Sequence, residues 1–569
     1  MNNKWYNEAV FYHIYPLGLV GAPKQNEYGT PKHRINEILP WITHIKNIGC
    51  NAIYIGPLFE SVGHGYETTD YKKLDSRLGT NEDLTKFVSE CHMQGIKVIL
   101  DGVFNHTGRD FFAFKDIQKN REKSPYKDWY CNVNFGGNTE YNDGFSYENW
   151  GGYNLLVKLN QKNQEVKNYI CDVIRFWVQE FDIDGIRLDA ADVLDFEFMR
   201  VLRQTANEVK PDFWLMGEVI HGDYSKWAND NTLHSVTNYM LHKALYSGHN
   251  DHNYFEIAHT VKYLAEKIGN GQDALNLYNF VDNHDVERIY TKLTNKAHFH
   301  PVHVLLYTLP GIPAIYYGSE FGIEGKKEQF SDDSLRPALS YEDYKEASKK
   351  NEYTKLLACL GKVRQQTKAL SYGDYKELQL TNRQYAFSRT YQGDTVIVTV
   401  NNDDKECKMH VPAGNATTYV GALSGKRETV NNGFIDISLS ANTGEIWIAD
   451  VKPDGKQEDK PESKPTAQPE GKPEVINVAK KANVQAQSAI EIEKKTVEKT
   501  EKNISEKESK VLENMKVSKQ KSYEEMSVEE LQKVIYEKMK KNGPVTERMY
   551  QDIIENNHHG SLVNWAKSF

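Results

Sequence analysis

The chain has little of what marks several common functions. Six cysteines are scattered over 569 residues, at Cys50, Cys91, Cys131, Cys171, Cys359 and Cys407, with no CxxC pair. That spacing speaks against a zinc ribbon or dithiol redox motif and reads as buried free thiols in a reducing compartment. No HExxH occurs, so the commonest metalloprotease helix is missing. No apolar run is long enough to span a bilayer, and "MNNKWYNEAVFYHIYPLG" has no basic segment leading into one. The expected location is therefore cytoplasmic, with no membrane partner. A basic excess is also absent. The net charge of −9 offers no electrostatic reason to bind nucleic acid.

What is present is enough apolar material for a large core: 39% hydrophobic residues, with 34 Tyr, 22 Phe and 9 Trp. Short apolar runs alternate with amphipathic segments. Strands are read at 9–17, 51–58, 96–106, 184–190, 213–220, 235–240, 277–285 and 313–320. Amphipathic segments such as "NEDLTKFVSECHMQG" lie between them. Eight strands alternating with helices predict an α/β fold, a closed (β/α)8 barrel, over 1–370. Residues 107–160 break the pattern. They read as a small inserted subdomain without a usual helix, rich in Trp, Tyr, Asn and Gly. From 371 to 450 short alternating strands predict an all-β sandwich. Residues 451–521, dominated by Lys, Glu and Pro, read as a disordered or charged-helical linker. Residues 522–569 read as a small helical docking module. Ser527 and Glu530 form a capping box there, and Val528, Leu531, Ile535 and Met539 a stripe.

Three carboxylates stand where predicted strands end: Asp189, Glu218 and Asp285. In a parallel barrel those ends share one mouth. Buried carboxylates are costly unless paired, so three together need a chemical reason. Glycoside hydrolysis supplies one: a nucleophile, a general acid/base and a stabiliser of positive charge. Arg187, two residues before Asp189, would favour the ionised carboxylate. The run "FWLMG" ahead of Glu218 would desolvate it and raise its pKa. Singly, each residue reads as structural: Arg187–Asp189 an ion pair, His106 and His284 loop residues, Tyr66 core. His298 and His300, the one HxH, and His558–His559 are not placed to form a metal site.

These stretches resemble the motifs of the α-amylase family, glycoside hydrolase family 13. "DGVFNH" (101–106), "GIRLDAA" (185–191), "GEVI" (217–220) and "VDNHD" (281–285) match its four regions in order. "GCNAIYIGPLFES", "HGYETTDY" and "GIPAIYYGSEFG" add to the likeness, which covers roughly 1–450. The resemblance implies Asp189 as nucleophile, Glu218 as general acid/base and Asp285 as transition-state stabiliser. Arg187 would orient the nucleophile, His106 and His284 would bind sugar hydroxyls, and Tyr66 would stack beneath the ring. Asp101 and Asn105 would support the first strand-end loop, and Asp70 the pocket wall. "LLVKLN" (155–160) is similar to the neopullulanase/cyclomaltodextrinase-like branch. Asp192 and Val193 replace the Lys-His pair of endo-acting α-amylases, which weakens both long-starch cleavage and the family's calcium site. No cofactor is expected. The expected substrates are α-glucan oligosaccharides: maltodextrins, maltooligosaccharides or cyclodextrins, cleaved at α-1,4 bonds. A 4-α-glucanotransferase and an inactive carbohydrate-binding scaffold are the alternatives. The 522–569 module would dock a protein partner or the enzyme itself.

Overall fold

The computed structural model describes residues 4–450 except 273 and 330, together with 526–542 and 562. Residues 1–455 form one compact unit and 456–569 a second.

Eight parallel strands form the centre of the first unit. They are β1 (Phe11–Ile14), β2 (Ala52–Ile55), β3 (Lys97–Gly102), β4 (Gly185–Leu188), β5 (Trp214–Gly217), β6 (Ser235–Val236), β7 (Tyr278–Phe280) and β8 (Ile312–Tyr316). From β1 to β6 each pairs with the next in chain order, β7 pairs with β8, and β8 pairs back onto β1. A parallel bridge between Thr237 and Tyr278 closes the ring between β6 and β7. All eight strands coincide with runs read from the sequence, and all are shorter. The extra residues are the strand-end loops that carry the polar groups. Strand β4 is buried along its whole length, so its alternation does not mark a water-facing side.

The surrounding helices start and stop where local chemistry dictates. Thr80 caps Asn81–Met93 through a reciprocal bond with Asp83, and Gly95 follows at φ 74°. Asn163, Asp195 and Asn351 cap three more helices. The helix Gln164–Phe181 turns Val166, Ile170, Val173, Ile174 and Trp177 toward the barrel. Each such fully buried aliphatic side chain contributes about 1.5–3 kcal/mol.

The insert departs from expectation in one respect. It contains a regular helix, Phe112–Asn120, whose Ala113, Phe114 and Ile117 are buried. The many neighbouring aromatics mask that short apolar stripe in the sequence. The insert is held by a three-stranded sheet of His106–Thr107, Tyr153–Lys158 and Asn149–Trp150.

After the helix Lys368–Tyr372 the chain becomes all β, from Asp374 to Ala449. A six-stranded antiparallel sheet faces the pair Cys407–Pro412 and Phe434–Leu439 across Ile397, Met409, Val411, Tyr419, Ile437 and Trp447. This is the expected sandwich. The six cysteines form no disulfide; Cys50, Cys91 and Cys171 are buried and the others half-buried.

In the second unit, Val528–Asn542 is helical, and Ser527 and Glu530 make the expected capping box. Leu531, Ile535 and Leu562 pack together. The linker 451–521 and most of the 522–569 module lie outside the described residues, as do His558, His559 and the Met539 side chain.

Candidate active site

The ends of β3, β4, β5 and β7 bring the predicted carboxylates to one mouth. The parallel ladder runs one residue past the strands: Asp189 N–H donates to Gly102 O (3.1 Å) and Glu218 N–H to Leu188 O (2.9 Å). Both backbones are therefore fixed at the point where the side chains turn into the cleft.

Arg187 organises the cluster. Its buried guanidinium sends NH1 to Asp101 Oδ1 (2.8 Å) and Asp189 Oδ1 (2.9 Å), and NH2 to Glu218 Oε2 (2.8 Å). One cation thus holds three carboxylates. Tyr54 Oη donates to Asp101 Oδ2 (2.9 Å), and Tyr66 Oη donates to the same oxygen (3.3 Å). A Cβ at position 56 would stand 2.3 Å from the Asp101 Cβ, so only glycine admits this carboxylate at the end of β2.

Glu218 has two further donors. Ala190 N–H reaches its Oε2 at 3.2 Å, and Tyr239 Oη its Oε1 at 3.4 Å. Ala190 adopts φ 45°, ψ 44°, a left-handed conformation costing a non-glycine residue roughly 1–2 kcal/mol. That turn carries the chain from Asp189 past Glu218 and aims the Ala190 N–H at its carboxylate.

Burial raises the pKa of Glu218 as anticipated; Arg187 opposes the rise and Asp285 adds to it. Burial also pushes Asp189 well above the usual carboxylate range; Arg187 pulls it down, and the charge of Glu218 pushes it up again. Arg187 thus favours the ionised Asp189, against burial first and then the charges of Glu218, Asp101 and Asp285. Asp189 and Glu218 titrate as a pair, and mutual repulsion favours one proton between them.

Asp285 differs. Burial raises its pKa, but His284, Arg336 and Arg187 outweigh that and bring it to about 2. Its side chain is 35% exposed, and Arg336 NH2 donates to its Oδ1 (2.9 Å). His284 Nε2 lies 3.1 Å from Asp285 Oδ2 and is hydrogen-bonded to the Tyr66 hydroxyl. Burial lowers His284 to about 3, so its ring is neutral at physiological pH. His106, also lowered to about 3 by burial, has Nε2 3.2 Å from Tyr66 O. The Tyr66 and His284 rings are stacked at 5.8 Å and 12°.

Asp70 does not join this group. It is exposed in the strand Thr68–Leu74, and its carboxylate accepts from Lys72 N–H (2.8 Å). Among the described residues no hydrogen bond or ion pair links it to the cluster. Burial along that strand runs in threes, with Thr68, Tyr71 and Leu74 buried and Asp70 on the exposed side.

Several participants escaped the sequence reading. Tyr54, Tyr239 and Asn283 hold the carboxylates or each other; Asn283 Nδ2 donates to Tyr239 Oη (3.2 Å), and its Oδ1 accepts from Asp285 N–H (2.8 Å). Arg336 donates from Nε to His284 O (3.0 Å) and lies 4.6 Å from the Tyr15 ring centre. Arg336 stands 51 residues beyond Asp285 in a polar loop, with no local pattern to mark it. Asn283 lies inside "VDNHD" and was within reach of the motif.

Asn105, expected to support the first strand-end loop, is tied to the loop after β4 through Gln161. Asn105 Oδ1 accepts from buried Gln161 Nε2 (3.2 Å), and Gln161 Oε1 accepts from Asp195 N–H (2.6 Å). Among the described residues no group of three His, Cys, Asp or Glu side chains is placed to hold a metal ion.

Residues 35–357 match the family described as "Alpha amylase, catalytic domain", and residues 373–447 match "Alpha-amylase C-terminal domain". The first match spans more than half the chain, and the chain belongs to the α-amylase family of glycoside hydrolases, in its cyclomaltodextrinase/neopullulanase branch. It is 33% identical over 423 residues to a cyclomaltodextrinase of Thermoanaerobacter pseudethanolicus, covering 71% of each chain. It is 31% identical over 472 residues to neopullulanase 2 of Thermoactinomyces vulgaris, covering 78% of each. Among solved structures, a debranching enzyme from Nostoc punctiforme superposes with TM-score 0.68 at 26% identity, over 79% of this chain and all of that one. Among the described residues no helix is long and apolar enough to cross a membrane.

Proposed function

We propose that this protein is a retaining α-glycoside hydrolase acting on α-1,4 bonds of short maltodextrins, maltooligosaccharides or cyclodextrins. One observation carries the reading: Asp189 and Glu218 hang on the two ends of one guanidinium. That arrangement supports the separation of about 5–5.5 Å used for double displacement. The shared proton of the pair suits the first step. Glu218 gives it to the departing glycosidic oxygen while the Asp189 carboxylate bonds to the anomeric carbon. Water, deprotonated by Glu218, then releases the sugar and restores Asp189. Asp285, held ionised by the guanidinium groups of Arg336 and Arg187, faces the positive charge that develops on the ring. Tyr66 and His284 offer a stacking face and a hydroxyl-binding edge.

A 4-α-glucanotransferase is the second reading. Val193 and Ile220, four and two residues after Asp189 and Glu218, are exposed apolar groups, and on this reading they form the acceptor's surface. They favour a sugar over water in the second step. A cytoplasmic setting draws support from the relative named intracellular maltogenic amylase of Bacillus subtilis, 28% identical over 418 residues. The test is product analysis on maltotriose, maltoheptaose, β-cyclodextrin and pullulan. Hydrolysis predicts only products shorter than the substrate, with faster turnover per bond than on soluble starch. Products longer than the substrate would assign the transferase instead.

A further inference from the structure

The inserted subdomain ends in an aromatic surface that the catalytic reading leaves unused. Tyr141 is 42% exposed and Tyr153 68%. Tyr141 is backed on one side by the Arg109 guanidinium, 3.7 Å from its ring centre. Arg109 is itself held by Asp143 and by the Tyr147 hydroxyl. Tyr147 Oη donates to Asn154 O (2.8 Å), and Asn154 Nδ2 donates to Glu140 Oε2 (2.5 Å). These bonds tie the residues next to Tyr141 and Tyr153 together, and both rings are exposed. Asn149 Nδ2 donates to Asn154 Oδ1 (2.8 Å), which completes a row of ordered amide and carboxylate groups. The Tyr153 hairpin is fixed as well. Trp150 pairs with Tyr153 across Gly151 and Gly152, at φ 63° and 84°. That left-handed pair is the two-residue turn glycine supports best.

We propose that Tyr141 and Tyr153 form a distal binding platform for the same α-glucan chain that occupies the cleft; the proposal rests on the α-glucan reading above. An open aromatic face beside ordered amides and a carboxylate is the chemistry that takes a sugar's C–H face and its hydroxyls. Continuity with the site selects the occupant. The strand Tyr153–Lys158 pairs with His106 at Lys158. It therefore runs from the His106 edge of the mouth to Tyr153, a path of about 17 Å at strand rise. A trisaccharide held at Asp189 stays near the mouth, whereas a longer chain reaches the platform.

The experiment compares Tyr141→Ala and Tyr153→Ala with the unaltered full chain on maltotriose and maltoheptaose. Calorimetry of maltoheptaose is run in parallel on Asp189→Asn with and without Tyr153→Ala. A loss of one stacking ring should cut kcat/KM on maltoheptaose roughly fivefold, mainly through KM, with maltotriose unchanged. Maltoheptaose affinity of the Asp189→Asn protein should fall by the same factor. Equal kcat/KM on both chain lengths in both variants would overturn the platform, and so would an equal loss on both. A chain that hydrolyses no α-glucan, yet binds maltoheptaose in a Tyr153-dependent way, would sink the catalytic reading and leave the platform standing.

Discussion

Glu218→Gln separates proton donation from the rest of the site. In the protein Glu218 Oε2 accepts from Arg187 NH2 and Ala190 N–H, while Oε1 faces Tyr239 Oη. A glutamine can keep its oxygen toward the two N–H donors and turn its amide to Tyr239, whose hydroxyl then accepts. The geometry survives and only the transferable proton is lost. General acid catalysis contributes about 10²–10⁴ in rate, or about 3–5 kcal/mol of barrier. Turnover of maltotriose should fall by that factor. Glycosylation by a maltosyl fluoride or dinitrophenyl maltoside, whose leaving group needs no proton, should stay within about tenfold of normal. Because the second step also lacks its base, a burst equal to the enzyme concentration should precede slow turnover. The stability sign can be checked on the same variant. Glu218 has its folded pKa raised by burial, so its stabilising contribution is present below the unfolded carboxylate pKa and lost as pH rises through the folded value. At pH 8 Glu218→Gln should therefore melt higher than the unaltered protein, and the gain should vanish near pH 4. Equal losses on maltotriose and on the activated substrates would refute Glu218 as the acid.

Asp189→Asn should abolish turnover while calorimetry still detects maltooligosaccharide binding; residual activity above about 10⁻³ of normal would count against a covalent role. Acid stability should follow the buried histidines. Burial lowers His303 to about 4, so the unfolded chain binds its proton first and stability falls as pH drops from about 6.5 toward 4. His303→Phe should flatten that slope by about 1.4 kcal/mol per pH unit in urea titrations, and an unchanged slope would exclude His303 as a source. Truncation after Asp450 should leave maltooligosaccharide turnover nearly unchanged, because every candidate side chain lies before it, and should abolish any self-association or partner capture. Loss of most activity in a normally folded truncation would place part of the site in the tail.

Much of this architecture was legible because its signals are local. Eight buried strands read as apolar runs; Asp189 and Glu218 sit one residue past a strand end, and Asp285 five past Phe280. What stayed hidden is relational. Tyr54 looks like any strand tyrosine until the ring closes and sets its hydroxyl against Asp101. Arg336 acquires meaning only when its loop folds back over Tyr15 and Asp285. Adjacency in sequence shows that Arg187 is near Asp189 but not that Asp101 and Glu218 share it. Asp70 stands apart from the cluster: Thr68 and Tyr71 in its strand are buried and it is exposed.

The central claim is that Asp189 and Glu218 act as a close pair in two successive displacements. Proton NMR of the first product released from maltotriose or β-cyclodextrin, recorded before mutarotation, tests it directly. Retention predicts that the α-anomer appears first and the β-anomer grows in later. A β-anomer appearing first would mean single displacement by water across carboxyl groups about 6.5–9.5 Å apart, and the pairing of Asp189 with Glu218 on Arg187 would then have been misread.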